Sequence, residues 1–284
     1  MPEKEPQFFG TEGLPGGMPE RVPAPPEKEP IKSLKEFIRL KSLEMKEGGI
    51  PVDERGRINP DKFKGVYPRA TLEADRKYIK EHKEVFQRAD AAGKERLSSL
   101  FKGKTPEEKG QGDICEMLTT AVLQKNLKEN FIVVRSSEFD DIRYGADTII
   151  LDKKTGNIVC AIDEIGRTAG TRYEDKKQRI LEKNLKGGGF LKYGIYFEEN
   201  KKGEPELKKG PVSNIPLFYC ALSENLAQNA LQGFQQSEES SPDEKKLFSH
   251  FLSCSREQID LLKEERLHPK LKERMELFEE SVLK

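Results

Sequence analysis

Apolar positions in this chain recur at helical spacing toward both ends and at strand spacing in the middle. Ile31, Leu34, Phe37, Ile38 and Leu40 in IKSLKEFIRLKSLEMKE mark an amphipathic helix from Ile31 to about Glu47. Residues 48–69 read as loop with at most short turns. Thr71 to about Leu100 is rich in helix formers, but its apolar stripe (Leu72, Tyr78, Ile79, Val85, Phe86) is narrow, so this helix is expected on the surface of the core. After a second loop, GKTPEEKGQG, the segment Asp113 to Asn130 covers a broad apolar arc. Ile114, Met117, Leu118, Ala121, Val122 and Leu123 predict a buried helix, with Glu116 inside that arc in line with Thr120 and Leu123.

FIVVRSS is a strand, and GADTIIL and NIVCAIDEI, joined by DKKTG, are two further strands forming a β-hairpin. Their apolar residues fall on both parities, which is the mark of strands covered on both faces. Arg172 to Lys186 is a helix with Tyr173, Lys177, Ile180, Leu181 and Asn184 on one face, stopped by Gly187, Gly188 and Gly189. Leu191, Tyr193, Ile195 and Phe197 alternate in the next strand, and IPLFYCALS is another. Residues from about Ser223 to Lys284 are helical, interrupted at His268–Pro269. The order helix, strand, strand, strand, helix, strand, strand predicts an α/β fold: a central mixed sheet of about five strands flanked by helices.

Composition narrows the picture. At 284 residues the chain is long enough for one sizeable core with accessory helices. We divide it into a tail over 1–30, a helical N-terminal extension over 31–110, an α/β core over 111–225 and C-terminal helices over 226–284. The tail holds eight of the seventeen prolines and four glycines, a composition expected to stay disordered. Lys plus Arg and Asp plus Glu are both 50, so no global field draws the chain to nucleic acid; such a contact must come from a local patch. No run approaches the roughly 18 to 20 apolar residues of a membrane span. MPEKEPQFFG lacks the apolar stretch of a signal peptide. Cys115, Cys160, Cys220 and Cys254 lie far apart with no CxxC, which argues against zinc and suits a reducing, cytoplasmic location.

Acids in the greasy strands carry the chemistry. Asp147 is embedded in GADTIIL, and Asp163 and Glu164 follow directly on an apolar run. Ionised carboxylates there are costly unless a cation or hydrogen bonds compensate. If the hairpin pairs around DKKTG, Asp147 and Asp163 sit on neighbouring strands and the preceding helix can deliver Glu116 beside them. Hard divalent cations such as Mg²⁺ or Mn²⁺ take such oxygen ligands, and can activate water against a scissile phosphate.

The order of a Glu on a helix (Glu116), an Asp after a small residue on a strand (Asp147 in GAD), a hairpin, and an apolar run ending in an acid (Asp163 in AIDEI) resembles the PD-(D/E)xK nuclease-like superfamily of restriction and repair nucleases. The resemblance spans roughly Gly112 to Ser223. It implies a restriction-endonuclease-like core with added N- and C-terminal helices, a Mg²⁺ or Mn²⁺ ion held by Glu116, Asp147 and Asp163, and phosphodiester hydrolysis in nucleic acid. The lysine that helps the attacking water stands two residues after the second acid in that family, but Ile165 occupies this position here. Some members supply it from the next helix, where Lys177 is the first candidate and Lys176 the second.

The remaining acids have two readings each. Asp141, like Asp140, stands behind the ion as a supporting group or forms an Asx turn at the strand entrance. Glu164 faces away from Asp163 by the two-residue period, and either supports the ion where the strand bulges or pairs with Arg167 or Arg172. Between Arg167 and Lys186, seven basic residues stand against three acidic ones; Arg167, Arg172 and Lys176 are the candidates for phosphate contact. No Walker loop, GxGxxG, GxSxG or HExxH is present. The alternative to a nuclease is a catalytically inactive module on the same core, binding nucleic acid or protein.

Overall fold

A computed structural model describes residues 29–92, 111–166 and 168–283 of the chain, less the side chains at 86–92, 111, 112 and 172. The expected tail lies outside these residues, except that the first helix, α1 (Glu29–Glu47), begins within it. A short 3-10 turn at Pro60–Phe63 leads to α2 (Arg69–Ala92), and α3 (Gln111–Leu127) leads into β1 (Phe131–Arg135). Then follow α4 (Glu138–Tyr144), β2 (Thr148–Asp152), β3 (Ile158–Ile165), α5 (Thr171–Leu185), β4 (Gly189–Glu199), β5 (Pro205–Ile215), β6 (Leu217–Ala221), α6 (Glu224–Gln232), α7 (Pro242–Lys263) and α8 (Pro269–Phe278).

The sheet is mixed and four-stranded, in the order β1-β2-β3-β6. β1 and β3 flank β2 antiparallel, and β6 returns through α5 to lie parallel to β3, with Asp163 opposite Tyr219 and Glu164 opposite Cys220. Every residue of β2 and β3 is buried, as their unbroken apolar runs require of strands covered on both sides. One face packs on α1, α3, α6, α7 and α8 through residues such as Phe37, Leu118, Ile150, Phe218, Phe251 and Phe278. The other face packs on α4, α5 and the β4–β5 pair through Phe139, Ile149, Ala161, Ile180, Tyr193 and Ile215. Among the described residues no helix is long and apolar enough to cross a membrane.

Two elements depart from the expectation. The strand at Phe190–Phe197 does not extend the central sheet. Among the described residues it pairs only with β5 in a separate two-stranded sheet, and the central sheet has four strands and not five. The flank of β3 is taken by β6, and β4 instead meets PELKKGPVSNI, whose charges hide its strand character. The second is α4. Asp140 and Asp141, read as turn formers or supporting acids, sit in a seven-residue helix capped by the Ser137 hydroxyl, which accepts the Asp140 N–H at 3.1 Å. So short a helix leaves no 3.6-residue pattern to read.

A candidate acidic metal site at the strand ends

Four elements meet where β2 begins and β3 ends. α3 brings Glu116, α4 brings Asp141, β2 is preceded by Asp147, and β3 closes on Asp163 and Glu164. Gly145 lets the chain turn from α4 into β2. It adopts the left-handed conformation (φ 65°), its N–H donates to the Asp141 carbonyl at 2.8 Å, and a β-carbon there would lie 3.1 Å from Asp163 Oδ2. Asp147 is then stitched to both neighbours: its N–H donates to the Ile162 carbonyl at 2.8 Å, its carbonyl accepts from Ser136 N–H at 2.8 Å, and its Oδ2 accepts the Glu164 N–H at 2.7 Å.

Glu116, Asp141 and Asp147 each offer an oxygen within 4.8 Å of the other two. Asp163 stands outside this trio and is bound by the Lys176 ammonium, which also donates to the Glu164 carbonyl at 2.9 Å. The Thr148 hydroxyl donates to Glu164 Oε1 at 3.1 Å, and Thr148 in turn meets Thr120 of α3 at 3.0 Å; the Glu164 carboxyl also stands beside the Asp147 charge. Glu164 Oε2 is buried with no hydrogen-bond partner among the described residues.

Two guanidiniums enter from elements that show no site signature in the sequence. Arg135, fully buried at the end of β1, donates to Glu116 at 2.6 Å and to Asp113 at 2.5 Å. Arg57 touches Glu116 through Nη2 and Asp141 through Nη1 at 3.1 Å. Both were invisible as site residues, although an arginine ending the apolar run FIVV implies a buried acid partner. Among the described residues, six carboxylates (Asp113, Glu116, Asp141, Asp147, Asp163, Glu164) thus share five cations: Arg57, Arg135, Lys176, Arg55, which pairs with Asp113 at 3.8 Å from an exposed position, and Lys183, which approaches Asp163 beside Gly145. Fully ionised, the cluster is one positive charge short, and one of its five cations, Arg55, stands at the exposed rim.

Without a cation, burial and like charge favour the protonated form of these acids. Burial, then the Asp147 charge, pushes Asp141 up to about 8, against the pull of Arg57. Burial, then Asp163 and Glu116, raises Asp147 to about 6. Burial and Asp147 hold Glu164 well above the carboxylate range. Burial raises Glu116 and Asp163 despite Arg57 and Lys176 respectively. Asp113 is the exception: burial opposes its charge, but Arg135 wins and lowers it.

Among the candidate lysines the structure brings Lys176, and not Lys177, to the acids. On α5 the stripe 176, 180, 183 faces the sheet: Ile180 is buried and Lys183 donates to the Tyr144 carbonyl at 2.5 Å. Lys177 lies one stripe over, 6.0 Å from the Tyr173 ring, beside a groove with Leu181, Tyr219 and Leu262. Arg167 and the side chain of Arg172, expected to contact phosphate or to pair with Glu164, lie outside the described residues. The basic surface expected along this segment is thinner than its composition suggests, because Lys176 and Lys183 turn inward.

No known family's profile, no curated protein and no solved structure matches this chain.

Proposed function

We propose that this chain is a divalent-metal-dependent phosphodiesterase acting on nucleic acid, built on a restriction-endonuclease-like core of the PD-(D/E)xK type. The succession α3-β1-β2-β3-α5-β6 and the position of the acids at the strand ends support that core. The observation that carries the reading is the convergence of Glu116, Asp141 and Asp147, with the Lys176 ammonium fixed one residue away on Asp163 and the Glu164 carbonyl.

The residues fit a hard cation. Their donors are all carboxylate oxygens, the surrounding acids outnumber their cations by one, and Glu164 Oε2 is buried without a donor. Asp147, Glu116 and Asp141 would hold Mg²⁺ or Mn²⁺, with Asp163 and Glu164 beside it. Such an ion supplies a water of lowered pKa and neutralises charge developing on a phosphate. The protein's own part is positioning. The Glu164 N–H fixes the Asp147 carboxylate, and Lys176, kept charged by Asp163 and Asp147 against burial, places an ammonium where a phosphate or an attacking water can be met.

One observation favours an inactive, binding-only module instead: Glu116 is already engaged by both Arg57 and Arg135. The experiment that decides is Mg²⁺- and Mn²⁺-dependent cleavage of single- and double-stranded DNA and RNA by the wild type beside Asp147→Asn. Metal-dependent cleavage lost in the variant supports the enzyme; equal cleavage in both, or none with any metal and substrate, removes it.

A further inference from the structure

The loop that delivers Arg57 is built to hold its backbone still. Val52 and Ile58 pair across it, Asp53 Oδ1 accepts the N–H groups of Arg55 at 2.8 Å and Arg57 at 3.0 Å, and two bonds of 3.0 Å clip it to β1 (Ile58 N–H to the Arg135 carbonyl, Arg135 N–H to the Gly56 carbonyl). None of these bonds involves the guanidinium. That group reaches across the acids and spans Glu116 and Asp141, two of the three residues whose oxygens converge. Arg135 differs: it is fully buried and donates to Asp113 at 2.5 Å, a carboxylate from which Arg57 stands 3.9 Å away.

We infer that Arg57 is a resident counter-ion of the acid site, which competes with a divalent cation for Glu116 and Asp141 and must leave them for the cation to bind. This rests on the reading of Glu116, Asp141 and Asp147 as metal ligands, for which the donorless Glu164 Oε2 is the independent sign that the cluster lacks a cation. A guanidinium and a divalent cation within a few ångströms repel strongly at protein dielectric, so both cannot hold the same oxygens. The site is therefore gated by a side chain of the N-terminal segment, outside the α/β core that carries the acids. Because Arg57 has a long stem on a pinned backbone, its head can swing while the loop stays in place.

The test is calorimetric titration of Mn²⁺ into the full chain, as wild type, Arg57→Met, Arg57→Lys and Asp147→Asn, with circular dichroism confirming the fold of each. Arg57→Met should bind Mn²⁺ about tenfold or more tightly than wild type, since one competing charge is gone. Arg57→Lys keeps the charge but cannot bridge two carboxylates, and should fall between them; it decides the matter if the methionine variant does not fold. Wild-type binding that is unchanged or weakened by both substitutions overturns the gate while leaving the metal site standing. Binding by no folded form, including Arg57→Met, overturns the metal site itself and the gate with it.

Discussion

The Glu164 N–H donates to the Asp147 carboxylate at 2.7 Å while the buried Glu164 side chain has an oxygen with no donor. One residue therefore anchors its neighbour's charge through its backbone and is penalised by that same charge through its side chain. This is an arrangement that gains from a cation and is strained without one.

Asp147→Asn isolates that relationship. The amide keeps an acceptor for the Glu164 N–H, offers a donor to the Glu164 carboxylate, and removes a buried charge raised by Asp163 and Glu116. The metal-free variant should be more stable than wild type by about 1–2 kcal/mol at pH 8, and should lose any Mn²⁺-induced rise in Tm. Thermal unfolding with and without Mn²⁺ checks both; a destabilised variant that still responds to Mn²⁺ contradicts the reading.

The pH dependence has a definite sign. Asp141 (about 8) and Asp147 (about 6) have folded pKa values above those of unfolded carboxylates, so between roughly pH 4 and pH 8 the folded chain binds more protons than the unfolded one. Their contribution is full below pH 4 and fades as pH rises through 6 and then 8. Each group held protonated only in the fold changes stability by up to about 1.4 kcal/mol per pH unit, less at the partly open Asp141. Urea unfolding across pH 5 to 9 should show metal-free stability falling, and saturating Mg²⁺ or Mn²⁺ should flatten that fall. A metal-free rise from pH 5 to 8 contradicts the assignment.

Lys176→Met and Lys177→Met separate the two lysines. Lys176→Met leaves buried Asp163 without its ion-pair partner, so unfolding free energy should drop by about 2–4 kcal/mol, and any metal-dependent cleavage by on the order of 100-fold. Lys177→Met should stay within about 0.5 kcal/mol of wild type and retain cleavage. Denaturant titration and the cleavage assay, run side by side, check the pair; similar effects at both positions would show that α5 is turned differently from the arrangement described.

Far from the site, Lys125 and Glu244 form a 2.5 Å ion pair whose side chains are both fully buried, with Lys125 4.1 Å above the Phe234 ring and Glu244 completing the cap of α7 with Ser241. Lys125→Met leaves Glu244 charged and unpaired, and should cost about 3–5 kcal/mol with metal binding unchanged. Lys125→Met with Glu244→Gln should recover part of that loss. A single variant as stable as wild type in denaturant titration would show that the pair contributes nothing.

Much of this was legible in the residues. Strand assignment at GADTIIL and NIVCAIDEI followed from apolar residues on both parities, which only a sheet covered on both faces accommodates. Glu116, Asp147 and Asp163 stood out because acids inside such runs demand compensation. The charged strand β5 and the seven-residue α4 escaped, since neither has a period long or apolar enough to see.

By its sequence alone the chain determined the α/β class, the buried hairpin and the presence of acids within it that need compensation, because period and polarity are local properties. Tertiary structure alone decided that Asp141 joins Glu116 and Asp147, that Lys176 faces the acids in place of Lys177, and that Arg57 and Arg135 arrive to neutralise Glu116. Those relationships depend on the turn of α5 by one residue and on a loop 59 positions before Glu116 folding back onto β1, and no local pattern encodes a distance between segments so far apart in the chain.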